Sequence, residues 1–425
     1  MIVKSVALEK EFVDSLSVLS SDVPYVIVVR PRKELRGLVK NAIRKQLYLK
    51  EDASAEYAEL EAYYTSMCND PVFVAEVNRS VKAISNYLTQ GMIFRFVYQS
   101  LEDYSMTQCA RLSALLVSTV CGGRFVDGCD LMACEDHDGT VLVDWQKSSQ
   151  QIREKCASDE MVVVSGGYGR TYDGTNVKIG RGGSDLMATA IASVLGAERI
   201  EFYTKYDGIQ GIPALTYEEA AHMMSTGDSP IFPPAMWPAI KSGIPIVVKN
   251  IFAPDKTGTV ISTQGTERAK GSFTGIVTDT DLVLVTVYGG GLLGSVGMSS
   301  NLFSALARKG INIRFISQSS AEYSISFAVC KEDGESAMTA ISELIDDRQY
   351  LTAGDILFVN KEVSIVSVCG ACMRSVPGVS GRIYTALGDA GISIIAASQG
   401  GEEFSISLVV DRADTEKAVA ALKSL

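Results

Sequence analysis

Histidine is nearly absent: His137 and His222 are the only two in 425 residues. Zinc sites built on histidine, and most nucleophile triads that need an imidazole base, are thereby close to excluded. Basic charge is also in short supply. Lys and Arg number 39 against 50 Asp and Glu, a net charge of −11, and this opposes nucleic acid, whose affinity is built from cations that neutralise phosphates. No apolar run reaches the length of a membrane span, and the opening MIVKSVALEKEF turns charged before a signal-peptide core could form. A cytoplasmic location with no nucleic-acid or membrane partner is therefore expected. Nine cysteines occur without paired spacings, apart from Cys369-Gly370-Ala371-Cys372, so reduced packing thiols are expected rather than a disulfide framework.

What is present is an ordinary globular composition, 47% hydrophobic and 21% charged, in a chain long enough for two or three domains. The second half contains a duplication. Residues 286–329 align without a gap on residues 367–410, at a constant offset of 81, with 16 of 44 positions identical. The identities include Gly297/Gly378, Gln318/Gln399 and Ser324/Ser405. Each copy reads as a strand, a glycine-containing loop, an amphipathic helix and two further strands, an α+β unit. Upstream, buried strands such as VPYVIVV, MVVVSGG, RIEFYT and IPIVVKN alternate with helical segments. That alternation predicts an α/β domain with an open, largely parallel sheet covered by helices on both faces. The Gly, Thr, Ser and Lys content of residues 262–274 places the boundary there. The expected division is residues 1–262, a linker over 263–274, a first small module over 275–360 and a second over 361–425.

Two glycine-rich segments carry the chemical signal in the first domain. Ser165-Gly166-Gly167-Tyr168-Gly169 follows a buried strand, and Gly180-Arg181-Gly182-Gly183-Ser184-Asp185 opens a helix. Glycines let backbone N–H groups approach an anion, a helix N-terminus adds partial positive charge, and an arginine forks onto a carboxylate or phosphate. An anionic ligand is the natural reading, with Gly166 and Gly169 as candidate contacts to a nucleotide.

IGRGGSDLMATAIASVLGA followed by RIEFYTKYDGI resembles the signature of the aspartate kinase family. TYEEAAHMMSTG, IPIVVKNIFAPDKTGTVIS and the tandem repeats match that family in order, so the resemblance covers nearly the whole chain. The repeats resemble the ACT modules, of ferredoxin-like fold, of the threonine-sensitive bifunctional aspartokinase homoserine-dehydrogenases. With the sequence ending at Leu425, a fused dehydrogenase is not expected. The resemblance implies an amino-acid-kinase-type fold and transfer of the γ-phosphoryl group of ATP, accompanied by Mg2+, to the β-carboxylate of aspartate. It implies Arg181, Ser184 and Gln108 as substrate-binding residues. Lys4, placed at the end of the first strand, and Asp185 take the catalytic places; Thr204, Lys205 and Asp207 lie at the nucleotide loop. Gln318, Gln399, Met298 and Ser299 would bind a small amino-acid effector, threonine in preference to lysine because Arg314 stands where lysine-sensing relatives carry an acid. A homodimer through the ACT modules is expected, and no protein motif for a metal is recognisable.

The departures from the family cluster on the nucleotide side. Val3-Lys4-Ser5-Val6-Ala7 replaces a Lys-Phe-Gly-Gly-Thr-Ser segment, Lys205 replaces an aspartate, and Gly227-Asp228-Ser229 replaces Gly-Ala-Lys. On the substrate side Gln108 replaces a glutamate. A kinase with a rebuilt nucleotide site and an amino-acid sensor without catalysis are the two leading readings these departures leave; a third is a kinase for another carboxylate or phosphate donor, suggested by Gln108 and Lys205.

Overall fold

The computed structural model describes residues 1–19, 25–94, 98–137, 140–224, 229–266, 271–288, 297–319, 324–346, 356–370, 373, 376–399 and 404–425. The chain divides into two compact units. The first comprises residues 1–221 and 230–266, and the second residues 222–229 and 267–425.

The first unit is built on β1 (Ile2–Ala7), β2 (Tyr25–Arg30), β3 (Arg124–Val126), β4 (Ala133–His137), β5 (Thr140–Val143), β6 (Val162–Ser165), β7 (Tyr168–Thr171), β8 (Asn176–Lys178), β9 (Arg199–Thr204), β10 (Ala214–Thr216), β11 (Ile246–Asn250) and β12 (Thr259–Ser262). Its helices are α1 (Lys33–Arg44), α2 (Ser54–Thr65), α3 (Pro71–Phe94), α4 (Tyr98–Cys121), α5 (Trp145–Cys156), α6 (Gly183–Leu195), α7 (Tyr217–Met223) and α8 (Trp237–Ser242). Eight strands form the main sheet in the order β10-β12-β11-β9-β1-β2-β6-β3. From β11 to β3 all neighbours pair in parallel, and β12 alone runs antiparallel to β11. Strands buried on both faces carry continuous apolar runs, and β2 and β6 do so with Val26, Ile27, Val28, Val29 and Val162, Val163, Val164 fully or almost fully buried. The expected α/β architecture is therefore present. A second sheet, β5-β4-β7-β8, was not legible in the sequence because its strands are short and partly exposed.

Burial pushes the thiols of Cys109 and Cys156 up to about 12 and those of Cys121 and Cys134 up to about 11. These are unreactive packing thiols. Cys369 is buried, and Cys372 lies outside the described residues.

The second unit contains β13 (Phe273–Tyr288), α9 (Met298–Arg308), β14 (Ile313–Gln318), β15 (Ser324–Cys330), α10 (Gly334–Asp346), β16 (Ile356–Gly370), α11 (Val379–Asp389), β17 (Ile394–Gln399), β18 (Ser405–Asp411) and α12 (Thr415–Lys423). The six strands form one antiparallel sheet, β14-β15-β13-β16-β18-β17. Two strands are unusually long, and each serves both modules. The second half of β13 pairs with β15 and with the start of β16, whereas residues 273–279 pair with residues 365–370. Phe273 and Ile276 accordingly pack into the second module's core of Val366, Val368, Ile383, Leu387 and Leu408. The expected start of the first module at residue 275 is corrected on this point: one module is inserted into the other, and the second begins with the strand that precedes the first. Hydrophobic alternation shows that a segment is a strand but not which strand it pairs with.

The repeat's 81-residue offset reappears as pseudo-symmetry. Asp281 and Glu362 both take left-handed backbone, φ 60° and 63°, where the long strands pass from one module to the other. Lys331 of the first module pairs with Glu362 at 3.5 Å, and the equivalent Arg412 of the second pairs with Asp281 at 3.8 Å. On the sheet face away from the helices Leu282, Leu284, Phe315, Ala328, Val363, Ile365 and Val409 make a shared core. Ser317 Oγ donates to the Ala397 carbonyl at 3.2 Å, so the sheet curls until its two edge strands meet.

Candidate functional site

In open α/β sheets ligands bind in the crevice beyond the carboxyl ends of the strands. Here that edge is formed by β1, β2, β6, β9 and β11, with the start of α6 lying against β1 and β2.

The end of β6 is fixed by a small polar network. Ser165 Oγ accepts from the Gly128 N–H at 2.8 Å and donates to Asp127 Oδ1 at 3.2 Å, and Arg111 of α4 holds Asp127 Oδ2 at 2.7 Å. Gly166 then donates its N–H to the Val29 carbonyl at 2.8 Å. A Cβ on Gly166 would lie 2.9 Å from Val28 Cγ1 and 3.0 Å from Ser184 Oγ, and Gly167 takes φ 99° beside the same hydroxyl. The two glycines therefore allow the strand end to approach the start of α6 closely. Gly169 is different. It lies within β7, and a Cβ there would meet Cys134 Sγ at 2.5 Å and the Met132 carbonyl at 2.6 Å. The expected nucleotide contact at Gly169 is corrected: this glycine packs β7 against the segment leading into β4.

Asp185, in the first turn of α6, is buried at 2% exposure. Its Oδ2 accepts from the Phe232 N–H at 3.0 Å, and its Oδ1 lies 3.5 Å from Arg30 Nη1. Burial pushes this carboxyl above its usual range, opposed by the Arg30 guanidinium and then by the Phe232 N–H. Arg181 is exposed, with its guanidinium 5.0 Å from the centre of the Phe232 ring. Gly182, at φ 69°, has Phe232 where a Cβ would stand, at 2.5 Å. Arg181, Ser184, Asp185, Gly166 and Gly167 are thus brought together. Gln108 is half-buried on α4, one turn from Arg111, and forms no hydrogen bond with Arg181, Ser184 or Asp185 among the described residues.

Lys4 is not at the end of its strand. It sits at the middle of β1, in register with Ile27 and Glu201, is 3% exposed, and donates to the Leu19 carbonyl at 2.5 Å. Its ammonium lies 4.7 Å from the Tyr25 ring centre. Burial pushes its pKa down, opposed by Glu201. The expected catalytic place of Lys4 is corrected, because Leu19 and Tyr25 flank the amino end of β2, opposite the crevice. The cation at the crevice is Arg30, which the sequence reading missed. A single arginine closing an apolar strand reads as an ordinary solubilising end, and only its pairing with a helix 155 residues away sets it apart.

At the other side of the crevice Thr204 accepts from the Tyr206 N–H at 3.1 Å and closes the turn after β9. Lys205 is exposed beside the Tyr206 ring. Asp207 is clamped by Lys256 at 2.6 Å and Asn250 at 2.8 Å, and these two hydrogen bonds hold its carboxyl below the usual range. Asn250 and Lys256 were also missed. Beyond β1, where the resemblance implies a glycine loop, the chain continues into Leu8 and Phe12, which are 0% and 1% exposed. Phe12 meets Phe252 edge-on at 5.3 Å.

In the second unit Gln318 and Gln399 end β14 and β17 and are exposed. Ser380, the repeat-equivalent of Ser299, donates to Gln399 Oε1 at 3.3 Å, so the strand end and the helix start form one niche. Gly297 and Gly378 precede the two helices at φ 89° and 85°. The Met298 side chain and Gly227-Asp228 lie outside the described residues.

Residues 5–250, more than half of the chain, match the model of the amino acid kinase family, and residues 285–344 and 366–424 match the ACT domain. The chain belongs to the amino acid kinase family. Its relatives include bifunctional aspartokinase/homoserine dehydrogenases and aspartokinases. It is 34% identical over 295 residues to a bifunctional aspartokinase/homoserine dehydrogenase of Haemophilus influenzae, covering 66% of this chain and 36% of that protein. An aspartokinase of Saccharomyces cerevisiae is 26% identical over 396 residues, covering 82% of this chain and 73% of that protein. The chain spans 31% to 41% of the length of these bifunctional relatives. Escherichia coli aspartokinase III, solved with lysine and aspartate, superposes with a TM-score of 0.81 at 18% identity, covering 100% of this chain and 99% of that one. At that identity the likeness concerns the fold. No helix among the described residues is long and apolar enough to cross a membrane.

Proposed function

We propose that this member of the amino acid kinase family is an aspartate-kinase-type phosphotransferase that phosphorylates the β-carboxylate of L-aspartate with ATP. The observation that carries this reading is the start of α6, where Gly166 and Gly167 approach Ser184 and the buried Asp185 pairs with Arg30, with the exposed Arg181 just before it. Phosphoryl transfer asks a protein for positioning and charge stabilisation rather than covalent chemistry. An exposed guanidinium offers a bidentate fork to the substrate carboxylate, and the α6 N-terminus adds partial positive charge. Among the described residues no group of three His, Cys, Asp or Glu side chains could hold a metal ion. A magnesium ion accompanying ATP would be held by the nucleotide phosphates. The niche at Gln399, with Gln318 at the equivalent strand end, supports feedback by an amino acid; the effector proposed is threonine in preference to lysine, and the assembly proposed is a homodimer. β-Aspartyl phosphate trapped as its hydroxamate tests the reading, and no product at high enzyme and ATP concentration rejects it.

A second reading, an amino-acid sensor without catalysis, is favoured by Leu8 and Phe12, which occupy the end of β1 with side chains instead of exposed N–H groups. On this reading threonine raises the melting temperature by linkage and ATP does not. An ATP-dependent shift of similar size removes it.

A further inference from the structure

We propose that Arg30 is the cation that stabilises the transferring phosphoryl group, so that this charge is carried at the end of β2 and not by a lysine of β1. The inference rests on the phosphotransferase reading above. Lys4 is committed to the Leu19 carbonyl at the far end of the sheet. Arg30 is the last residue of β2 and stands between the two strand ends that border the crevice. Its carbonyl accepts from the Leu8 N–H at 3.0 Å, after β1, and the neighbouring Val29 carbonyl accepts from Gly166, after β6. Its side chain is 36% exposed, whereas that of its partner Asp185 is 3% exposed.

This division suits the step. Asp185 anchors one edge of the guanidinium from below, and the remaining N–H groups, of five in all, are available to an anion in the crevice. In the transfer a β-carboxylate oxygen of aspartate bonds to the γ-phosphorus and the bond to the β,γ-bridging oxygen breaks. ADP leaves with that electron pair, and no proton enters or leaves. Negative charge moves toward the bridging oxygen, and a fixed cation beside the γ-oxygens stabilises it. Other cations at this edge have contacts of their own, Lys205 with the Tyr206 ring among them. Lys256 holds Asp207, Arg32 holds Glu34 at 2.7 Å, and Arg181 rests over Phe232 on the acceptor side.

Full-length Arg30→Ala, Arg30→Lys and, as a control, Arg32→Ala are to be compared by hydroxamate formation. Arg30→Ala is expected to lose about 10²–10³-fold in kcat with a much smaller change in the KM for aspartate. Arg30→Lys recovers part of the loss, sub-denaturing guanidinium partly rescues Arg30→Ala, and Arg32→Ala keeps wild-type kcat. A folded Arg30→Ala with kcat near wild type, or one that guanidinium does not rescue, overturns the inference while leaving the phosphotransferase reading in place. If the wild type makes no hydroxamate, that reading fails, and inorganic tripolyphosphate decides the inference. A melting-temperature rise in the wild type that Arg30→Ala abolishes supports it, whereas equal rises, or none in the wild type, overturn it.

Discussion

A charge removed from water must be paired or neutralised, a lysine by losing a proton and a carboxylate by gaining one, and Lys4 and Asp185 of the first unit illustrate the two sides of that rule. Burial disfavours the charged form of Lys4, whose pKa is lowered. Between that lowered value and 10.5 the unfolded chain holds a proton that the folded chain has released, so stability rises with pH across this window. Lys4→Met removes the titrating group. Urea denaturation from pH 8 to 10.5 is expected to show the wild type gaining stability relative to Lys4→Met as the pH rises, and parallel curves would show that the ammonium is solvated. Asp185 works in the opposite sense. Its pKa is raised, so the folded state binds the proton more tightly, and stability falls as pH rises from 3.8 through the folded value. Arg30→Ala removes one of the two influences that oppose the shift and is expected to extend the fall to higher pH. An unchanged profile in that variant counts against the ion pair.

Elements position these residues through backbone geometry. The turn into α6 passes through Gly182 in left-handed conformation, with Phe232 where a side chain would begin. Gly182→Ala is expected to destabilise the protein by about 1–3 kcal/mol, as overpacking does, and to weaken aspartate binding by displacing the N–H that holds Asp185. A melting temperature equal to that of the wild type rejects this packing. In the second unit Glu362 bears the cost of a left-handed backbone, about 1–2 kcal/mol for a residue with a Cβ. Its ion pair with Lys331 is surface-exposed and worth little. Glu362→Gly, which also increases the freedom of the unfolded chain, is expected to be neutral or stabilising by up to about 1 kcal/mol; clear destabilisation would mean that the ion pair outweighs the strain. Such features mark the limit of what sequence pattern conveys. The long strands β1, β2, β6, β9 and β11 of the main sheet, the helix opening at Gly183 and the 81-residue repeat all follow from the sequence pattern, whereas the short β3, β10 and β12 do not. The mid-strand position of Lys4 did not, since a shift of a few residues along an apolar strand leaves the pattern unchanged. The role of Gly169 did not either, because a glycine required for close packing and one required for an anion look alike until their neighbours are known.

At the scale of the molecule, the insertion of one ACT module into the other makes the second unit a single folding problem. Residues 365–370 of β16 lie between β18 and the strand of residues 273–279. A fragment of residues 361–425 would lack that strand. It would lose Phe273 and Ile276 from its core, each worth about 1.5–3 kcal/mol when fully buried, in a piece small enough to be marginal on surface-to-volume grounds. It would also expose the backbone of β16 as an unpaired edge, a template for association with other chains. Residues 267–425 retain both halves of β13, the three cores and the crossed pairs of Asp281 and Glu362. The longer fragment is therefore expected to give one cooperative thermal transition, and the shorter one none, with aggregation growing with concentration. Cooperative unfolding of residues 361–425 alone would show that the borrowed strand is dispensable. The same interlock predicts that a ligand seated at Gln399 stabilises the whole unit and not one module, so amide exchange should slow in β13 and β15 as well as in β17 and β18 when the proposed effector, threonine, is added. Protection confined to β17 and β18 would mean that the two modules open independently despite sharing their two longest strands.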